Sequence, residues 1–386
     1  VRIYYASHLQ QQTGYGRAAY HLARALLSDL PEDIELVLIT IGPREGETGL
    51  ALANAHPLHP DDRIGPSDVL IVHTLPLDCA TAKKLLIGDR EPGDAPRCVA
   101  YTTWEGMNVP DEVYREICFA FDELWVPSEV NKAAFEEART RRPNQQVMRV
   151  VPHCYPDHEV VADDGSRDEN DRFQFYWIGQ WTARKNPEGL IRAYCLAFDA
   201  QDHVRLMLHS AGVDPKRVID AIVSTGIDKN NLPQIKFCSE VMPEENLEEL
   251  HRTSDVFVSA SRGEAWNLPA FEAMIHRRHI IVPYGHGSDD YLTGTSAELI
   301  DGWEAPAHMD ATVKSNEDGR WVFDRRGPQG MTARVLWSEP NLVMLAAAMR
   351  DAHEHRRRTL EINYDPAQRF GYAAVAALVL AALKEN

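Results

Sequence analysis

Two pairs of residues have the types and spacing to do chemistry together. Arg184 and Lys185 stand side by side just ahead of Pro187, and Glu264 and Glu272 stand with seven residues between them in the stretch SDVFVSASRGEAWNLPAFEAM, Ser254–Met274. Adjacent cations beside the free amides of a helix start suit a diphosphate. Two carboxylates near such an anion site are electrostatically awkward unless they accept hydrogen bonds from ligand hydroxyls. A sugar nucleotide carries both the diphosphate and the hydroxyls. The same residues also fit a plainer reading: a solvated basic turn, a capping glutamate and a surface glutamate on an ordinary strand–helix unit.

The elements that must position these residues follow from the apolar patterning. Val256–Val258 reads as a buried strand, and Pro269, whose missing N–H needs no partner at a helix start, opens a helix over Ala270–His276. Upstream, Phe173–Ile178 reads as a strand, Gly179–Asn186 (GQWTARKN) as a loop and Pro187–Phe198 as a helix. The N-terminal part has the same plan: a strand at Val1–Ala6, a polar stretch ending in Gly14-Tyr15-Gly16, and a helix over Arg17–Leu30. A lone G-x-G serves a phosphate turn or a simple tight turn equally well. Further strands read at Glu35–Ile41, Val69–His73, Arg97–Thr102, Leu124–Pro127, Val147–Pro152, Val204–His209, Ile235–Phe237 and Ile280–Pro283.

Helices read at Glu129–Arg139, Pro215–Ser224, Glu244–His251, Leu342–Arg350 and Ala367–Leu383, while residues 301–338 read as irregular. Alternating strands and helices predict doubly wound parallel sheets, which bind ligands beyond the carboxyl ends of their strands. Gly14, His73 and Glu105 all fall at such ends. A histidine there also serves plain packing, whereas a carboxylate between Trp104 and Gly106 has little packing use.

Composition bounds the remaining choices. The chain has 386 residues and 44% hydrophobic content, enough for two domains. The polar, acidic run Pro156–Arg172 is the natural boundary between them. The formal net charge of −18 disfavours a broad nucleic-acid face. That charge is uneven: residues 1–171 carry 29 Asp and Glu against 16 Lys and Arg, so the more neutral remainder holds the candidate anion site. The six scattered cysteines form no C-x-x-C pair, which fits a reducing cytoplasm and no structural zinc. The longest apolar run, Ala373–Leu383, is too short to span a bilayer.

Taken together, Gly179-x4-Arg184-Lys185 and Glu264-x7-Glu272, with Asn267, Leu268 and Pro269 between the glutamates, resemble the retaining glycosyltransferases of the GT-B fold. Local matches agree. Trp125-Val126-Pro127-Ser128 with Asn131 and Phe135 resembles that family's WVPS-x2-N-x3-F segment, Val151-Pro152-His153 its VPHG, and Leu336–Pro340 followed by Leu342–Met349 its late segment. The resemblance implies an α/β fold of two Rossmann-like domains facing across a cleft. An acceptor domain would span residues 1–160, a donor domain 161–365, and a terminal helix over 366–386 would cross back to the first.

The implied roles are specific. Glu272 would accept from ribose hydroxyls, and Arg184 and Lys185 would hold the diphosphate as it leaves. Glu264 would bind the sugar's hydroxyls. Gly179, Ala265, Trp266, Asn267 and Leu268 would complete the donor pocket, with amides around Asn267 and Leu268 meeting sugar and phosphate. Gly14 and Gly16 would allow close approach to the diphosphate, and His73 and Glu105 would serve the acceptor side. The implied donor is a UDP- or GDP-sugar and the acceptor an unspecified hydroxyl, with no metal or other cofactor. With no evident covalent nucleophile, the acceptor would attack from the donor's front face and pass its proton to the diphosphate. A nucleotide-sugar epimerase of the same plan and a non-catalytic sugar-nucleotide binder are the alternatives. Three features depart from the family pattern: Cys154 replaces a glycine, Trp266-Asn267 replaces Phe-Gly, and the loop after Pro283 carries His286 and Asp289-Asp290.

Overall fold

The computed structural model describes residues 2–9, 13–41, 56–57, 63–89, 94–156, 172–307, 313–315, 321–323 and 335–385. Almost all of the proposed boundary segment Pro156–Arg172 lies outside them. The chain divides into two compact units, Val1–Glu159 with Asp365–Asn386, and Val160–Tyr364.

The first unit is built on a seven-stranded sheet: β1 (Arg2–Ser7), β2 (Glu35–Thr40), β3 (His56–Pro57), β4 (Val69–His73), β5 (Arg97–Tyr101), β6 (Glu123–Val126) and β7 (Val147–Val150). Its spatial order is β3-β2-β1-β4-β5-β6-β7, parallel throughout. The helices are α1 (Gly14–Asp29), α2 (Cys79–Ile87), α3 (Asp111–Cys118) and α4 (Glu129–Arg141). Order reverses between β1 and β4, which makes the ends of these two strands the switch point where doubly wound sheets bind ligands.

Gly14-Tyr15-Gly16 forms the first turn of α1 rather than a loop before it. The Thr13 hydroxyl accepts from the Gly16 amide at 3.1 Å and so starts the helix three residues early. α2 and α3 are additions to the sequence reading. The N-terminal amides of α3 follow Pro110 and carry Asp111 and Glu112 in the first turn, where negative charge complements the helix dipole.

The second unit repeats the plan with six parallel strands: β8 (Phe173–Ile178), β9 (Val204–His209), β10 (Gln234–Cys238), β11 (Val256–Val258), β12 (His279–Pro283) and β13 (Glu298–Ile300). Their order is β10-β9-β8-β11-β12-β13, with the switch point between β8 and β11. The helices are α5 (Pro187–Ala197), α6 (Pro215–Val223), α7 (Glu244–Thr253), α8 (Leu268–Ile275), the short α9 (Asp289–Leu292) and α10 (Leu342–Glu354). Phe173, Phe175 and Trp177 from β8 pack with Leu190 and Tyr194 of α5 and Leu345 and Met349 of α10 in one buried core.

Residues 301–338 are not wholly irregular. β14 (Gly302–Pro306) pairs antiparallel with β17 (Leu336–Pro340), and Val313–Ser315 (β15) pairs with Trp321–Phe323 (β16). Trp337 is buried in this ladder and Trp303 is exposed.

The C-terminal segment breaks at Gly371 into α11 (Pro366–Phe370) and α12 (Tyr372–Lys384), and α12 belongs to the first unit. Val375, Ala376 and Val379 pack into the core formed by β1 and α1. Arg97 fastens the far end: its guanidinium donates to the carbonyls of Leu383 (2.9 Å) and Ala382 (3.0 Å) and pairs with buried Glu123. Glu123 also accepts from Arg149 at 3.0 Å and from the Trp125 indole at 2.9 Å. Burial pulls the Glu123 carboxyl upward, but these donors outweigh it and hold the group below its ordinary value.

Candidate functional site

Arg184 and Lys185 end the loop that runs from β8 to α5. Gly179 opens that loop because a Cβ there would lie 2.7 Å from the Trp177 indole. Asn186 closes it at φ +50° and caps α5 by accepting from the Gly189 amide at 3.1 Å. Glu264 lies between β11 and α8, on the other side of the same switch point. The structure brings these three side chains together. Lys185 Nζ donates to both Glu264 oxygens, at 2.7 and 2.8 Å. Arg184 Nη1 reaches Glu264 Oε2 at 3.2 Å and the Gly263 carbonyl at 2.6 Å. The two loops are also tied by their backbones, with the Arg262 amide donating to the Arg184 carbonyl at 2.7 Å.

All three side chains are largely buried. Burial alone would raise the Glu264 pKa, but the Lys185 and Arg184 charges and their hydrogen bonds win and lower it from 4.5 to about 2. The arrangement is a preformed pair of cations offset in part by one carboxylate, at the carboxyl end of the strands.

α8 starts from Asn267, which has φ +66° and ψ +69°. This left-handed conformation costs most side chains about 1 kcal/mol or more, and Asn tolerates it better than any residue except Gly. After glycine, Asn is therefore the residue best suited to this position. Ala265, Trp266 and Asn267 are buried and Leu268 is half-buried. The Trp266 ring packs against Phe271 (5.3 Å) and Tyr291 (5.0 Å), and the Tyr291 hydroxyl lies 3.0 Å from the carbonyls of both Trp266 and Asn267. Glu272 is in the next turn of α8, half-buried, with Oε2 3.4 Å from His251 Nε2. Burial, then the charges of Glu264, Asp289 and Tyr364, and that of Glu272, all raise the Tyr291 pKa, so both glutamates lie within electrostatic reach of one hydroxyl.

The loop after β12 joins the same cluster. The Gly287 amide donates to the Glu264 carbonyl at 2.9 Å. His286 is buried beside Glu264, Arg184 and Lys185, and burial chiefly lowers its pKa to about 4, which leaves it neutral at pH 7. Burial also raises Asp289 to about 6, although its Oδ2 accepts from the Gly285 amide at 2.8 Å.

In the first unit, the candidates gather around Tyr15, a residue the sequence reading passed over. Gly14 and Gly16 flank it. Its ring meets His73 edge-on at 6.0 Å, its hydroxyl bonds Thr103, and the Glu105 charge bears on it. His73 is fully buried, stacked on Tyr101 at 4.1 Å, with Nδ1 2.5 Å from the Tyr5 hydroxyl. Burial, then His153 and His8, hold His73 well below its ordinary pKa. Glu105 is half-buried, and the preceding Trp104 is pinned by Asn131, whose amide group bonds both its N–H (2.8 Å) and its carbonyl (2.9 Å). Cys154 is buried and joins the core under α12. Among the described residues no group of three or more His, Cys, Asp and Glu could hold a metal ion. No helix among them is long and apolar enough to cross a membrane.

Residues 172–315 match the family model described as Glycosyl transferases group 1. No curated protein matches the chain. Solved structures are similar over most or all of its length. Anabaena Alr3699/HepE, in complex with UDP and glucose, aligns with a TM-score of 0.64 at 11% identity over 100% of both chains. The E. coli trehalose-6-phosphate structure bound with UDP-2-fluoro glucose aligns at 0.59 and 11% identity, covering 100% of this chain and 99% of that one. The pneumococcal O-GlcNAc transferase GtfA, in complex with UDP and GlcNAc, aligns at 0.54 and 12% identity, covering 83% of this chain and 57% of that one. At these identities the likeness establishes the architecture, which is GT-B: two Rossmann-like units, each with a parallel doubly wound sheet.

Proposed function

We propose that this chain transfers a glycosyl group from a nucleoside diphosphate sugar to an acceptor hydroxyl, with retention at the anomeric carbon. The observation that carries the reading is the convergence of Arg184 and Lys185 on Glu264 at the β8–β11 switch point. Lys185 and Arg184 turn to the diphosphate and stabilise the charge that grows as the bond from anomeric carbon to phosphate oxygen breaks. The acceptor oxygen bonds the same carbon from the same face, and its proton passes to the departing diphosphate. Glu264 accepts from the sugar's hydroxyls and Glu272 from the ribose diol. The acceptor side is assigned to the first unit, where Glu105 is half-buried and His73 sits behind Tyr15.

Uridine donors are the first to test, since the three similar structures named above hold UDP or a UDP-sugar. The six free cysteines agree with a reducing cytoplasm. Thermal-shift measurements against UDP-, GDP-, ADP- and TDP-sugars identify the donor, because a ligand that binds the folded state raises the melting temperature. Proton NMR of the product then reads the anomer. Arg184→Ala and Glu264→Ala each lower transfer by about a hundredfold or more. Unchanged rates in both variants would overturn the assignment. An epimerised sugar nucleotide formed without acceptor would replace transfer with epimerisation, and binding without turnover would leave a sugar-nucleotide-binding protein.

A further inference from the structure

Glu272 lies beside a buried pair of polar groups, His251 and Tyr176, that the proposed reaction does not otherwise use. His251 lies in the last turn of α7, only 2% exposed. Its Nδ1 is 2.8 Å from the Tyr176 hydroxyl on β8, and its Nε2 is 3.4 Å from Glu272 Oε2 on α8. The imidazole is clamped by rings on two sides. His276 stacks parallel to it, centroids 5.3 Å apart and planes 2° apart, and Tyr176 meets it edge-on at 5.4 Å. Tyr176 is itself fully buried and wedged against Phe257. Burial, then His251, holds His276 down to about 4, so the stacked partner adds no charge at neutral pH.

The chemistry of the pair selects one tautomer. If Nδ1 carried the proton, Nε2 would present a lone pair to the carboxylate, and the two would repel. If the phenol donates to Nδ1, the proton sits on Nε2 and faces Glu272. At 3.4 Å the contact is a close approach rather than a formed hydrogen bond, but an N–H dipole aimed at the carboxylate favours one orientation of it. About a fifth of the Glu272 side chain is still exposed, so it remains open to a ligand.

We propose that His251 is a positioning residue: it fixes the Glu272 carboxylate so that it accepts from both hydroxyls of a ribose, and so makes the site prefer a ribonucleoside diphosphate to its 2′-deoxy counterpart. This rests on the assignment of Glu272 to the ribose. A purely structural role, in which His251 only satisfies the Tyr176 hydroxyl, predicts no effect on that preference.

The experiment is calorimetric titration with whichever of UDP, GDP and ADP binds tightest, and with the 2′-deoxy form of the same nucleotide. The wild-type chain binds the ribo form about tenfold or more tightly, the worth of one hydrogen bond to a charged group. His251→Leu, similar in volume and without polar atoms, reduces the ratio to about twofold, because ribo binding, which uses both hydroxyls, weakens more than 2′-deoxy binding, which uses one. His251→Gln, which can still accept from the phenol and donate to the carboxylate, keeps most of the preference. Tyr176→Phe releases the tautomer and lowers the ratio part-way, and it carries the test if His251→Leu does not fold.

An unchanged ratio in His251→Leu, or in Tyr176→Phe if that variant stands alone, overturns the proposal. So does an equal loss for both nucleotides. A wild-type ratio near one removes the Glu272 assignment and the proposal together while leaving glycosyl transfer intact. Failure of every nucleotide to bind removes the proposed function as well.

Discussion

Lys185→Ala isolates the electrostatic core of the site. It deletes the two short bonds to Glu264 and leaves the carboxylate with Arg184 at 3.2 Å. The Glu264 pKa, about 2 in the native chain, then rises toward the ordinary 4.5. A group whose folded pKa is depressed contributes stability above its unfolded pKa and loses it as pH falls toward the folded one. For Glu264 that window runs from about 4.5 down to about 2. Between pH 6 and pH 3 this carboxylate alone costs the wild-type chain about 2 kcal/mol, and costs the variant much less. Every other carboxylate is common to both chains, so the difference between their stability curves reports Glu264.

Urea unfolding followed by tryptophan fluorescence suits the measurement, because six of the eight tryptophans belong to the second unit. The expected result is a wild-type advantage at pH 6 that shrinks by about 1–2 kcal/mol on acidification to pH 3. Parallel curves across that range would refute the argument that Lys185 sets the charge state of Glu264.

Substitutions at two other positions test how the fold holds together. Asn267→Gly is expected to be nearly neutral, whereas Asn267→Val, which forces a β-branched residue to φ +66°, costs about 1–2 kcal/mol and lowers the melting temperature of the second unit. Glu123→Gln strips Arg97 and Arg149 of their shared partner and loosens the end of α12, a loss of about 2–3 kcal/mol visible as faster amide exchange over Ala376–Lys384.

The strands were legible because parallel sheets covered on both faces leave near-continuous apolar runs, as in VLIVH of β4 and FQFYWI of β8. α2 was hidden by its shortness and by Leu85, an apolar residue left exposed, which blurs the helical period. α3 did carry a readable signal, since Pro110-Asp111-Glu112 is a helix opening. The β14–β17 ladder could not be seen in any short window, because Gly302 pairs with Pro340, nearly forty positions away. Within the site, Arg184, Lys185 and Glu264 declared themselves by residue type. His251 did not: on an amphipathic helix it reads as ordinary packing, and its meaning comes from Tyr176 and Glu272, which are distant in sequence. Tyr15 is silent in the sequence for a related reason, since its partners His73, Thr103 and Glu105 lie far along the chain.

The Glu264 triad also bears on how a donor would be recognised as a whole. Lys185 and Arg184 can face either a carboxylate or a phosphate at hydrogen-bond distance, but the same N–H groups cannot serve both fully. When a diphosphate takes them, the buried Glu264 carboxylate loses donors, and a buried charge left without partners costs several kcal/mol. On the proposed reading the sugar's hydroxyls are the replacement donors. A bare nucleoside diphosphate can displace Glu264 but offers it nothing in return, whereas a sugar nucleotide satisfies the cations and the carboxylate together. Recognition of the leaving group and of the transferred sugar is then one exchange reaction within a single cluster, and sugar nucleotides should outrank their parent diphosphates in the thermal-shift screen. Equal ranking would mean that Glu264 keeps its cations when the nucleotide binds, and that it does not read the sugar.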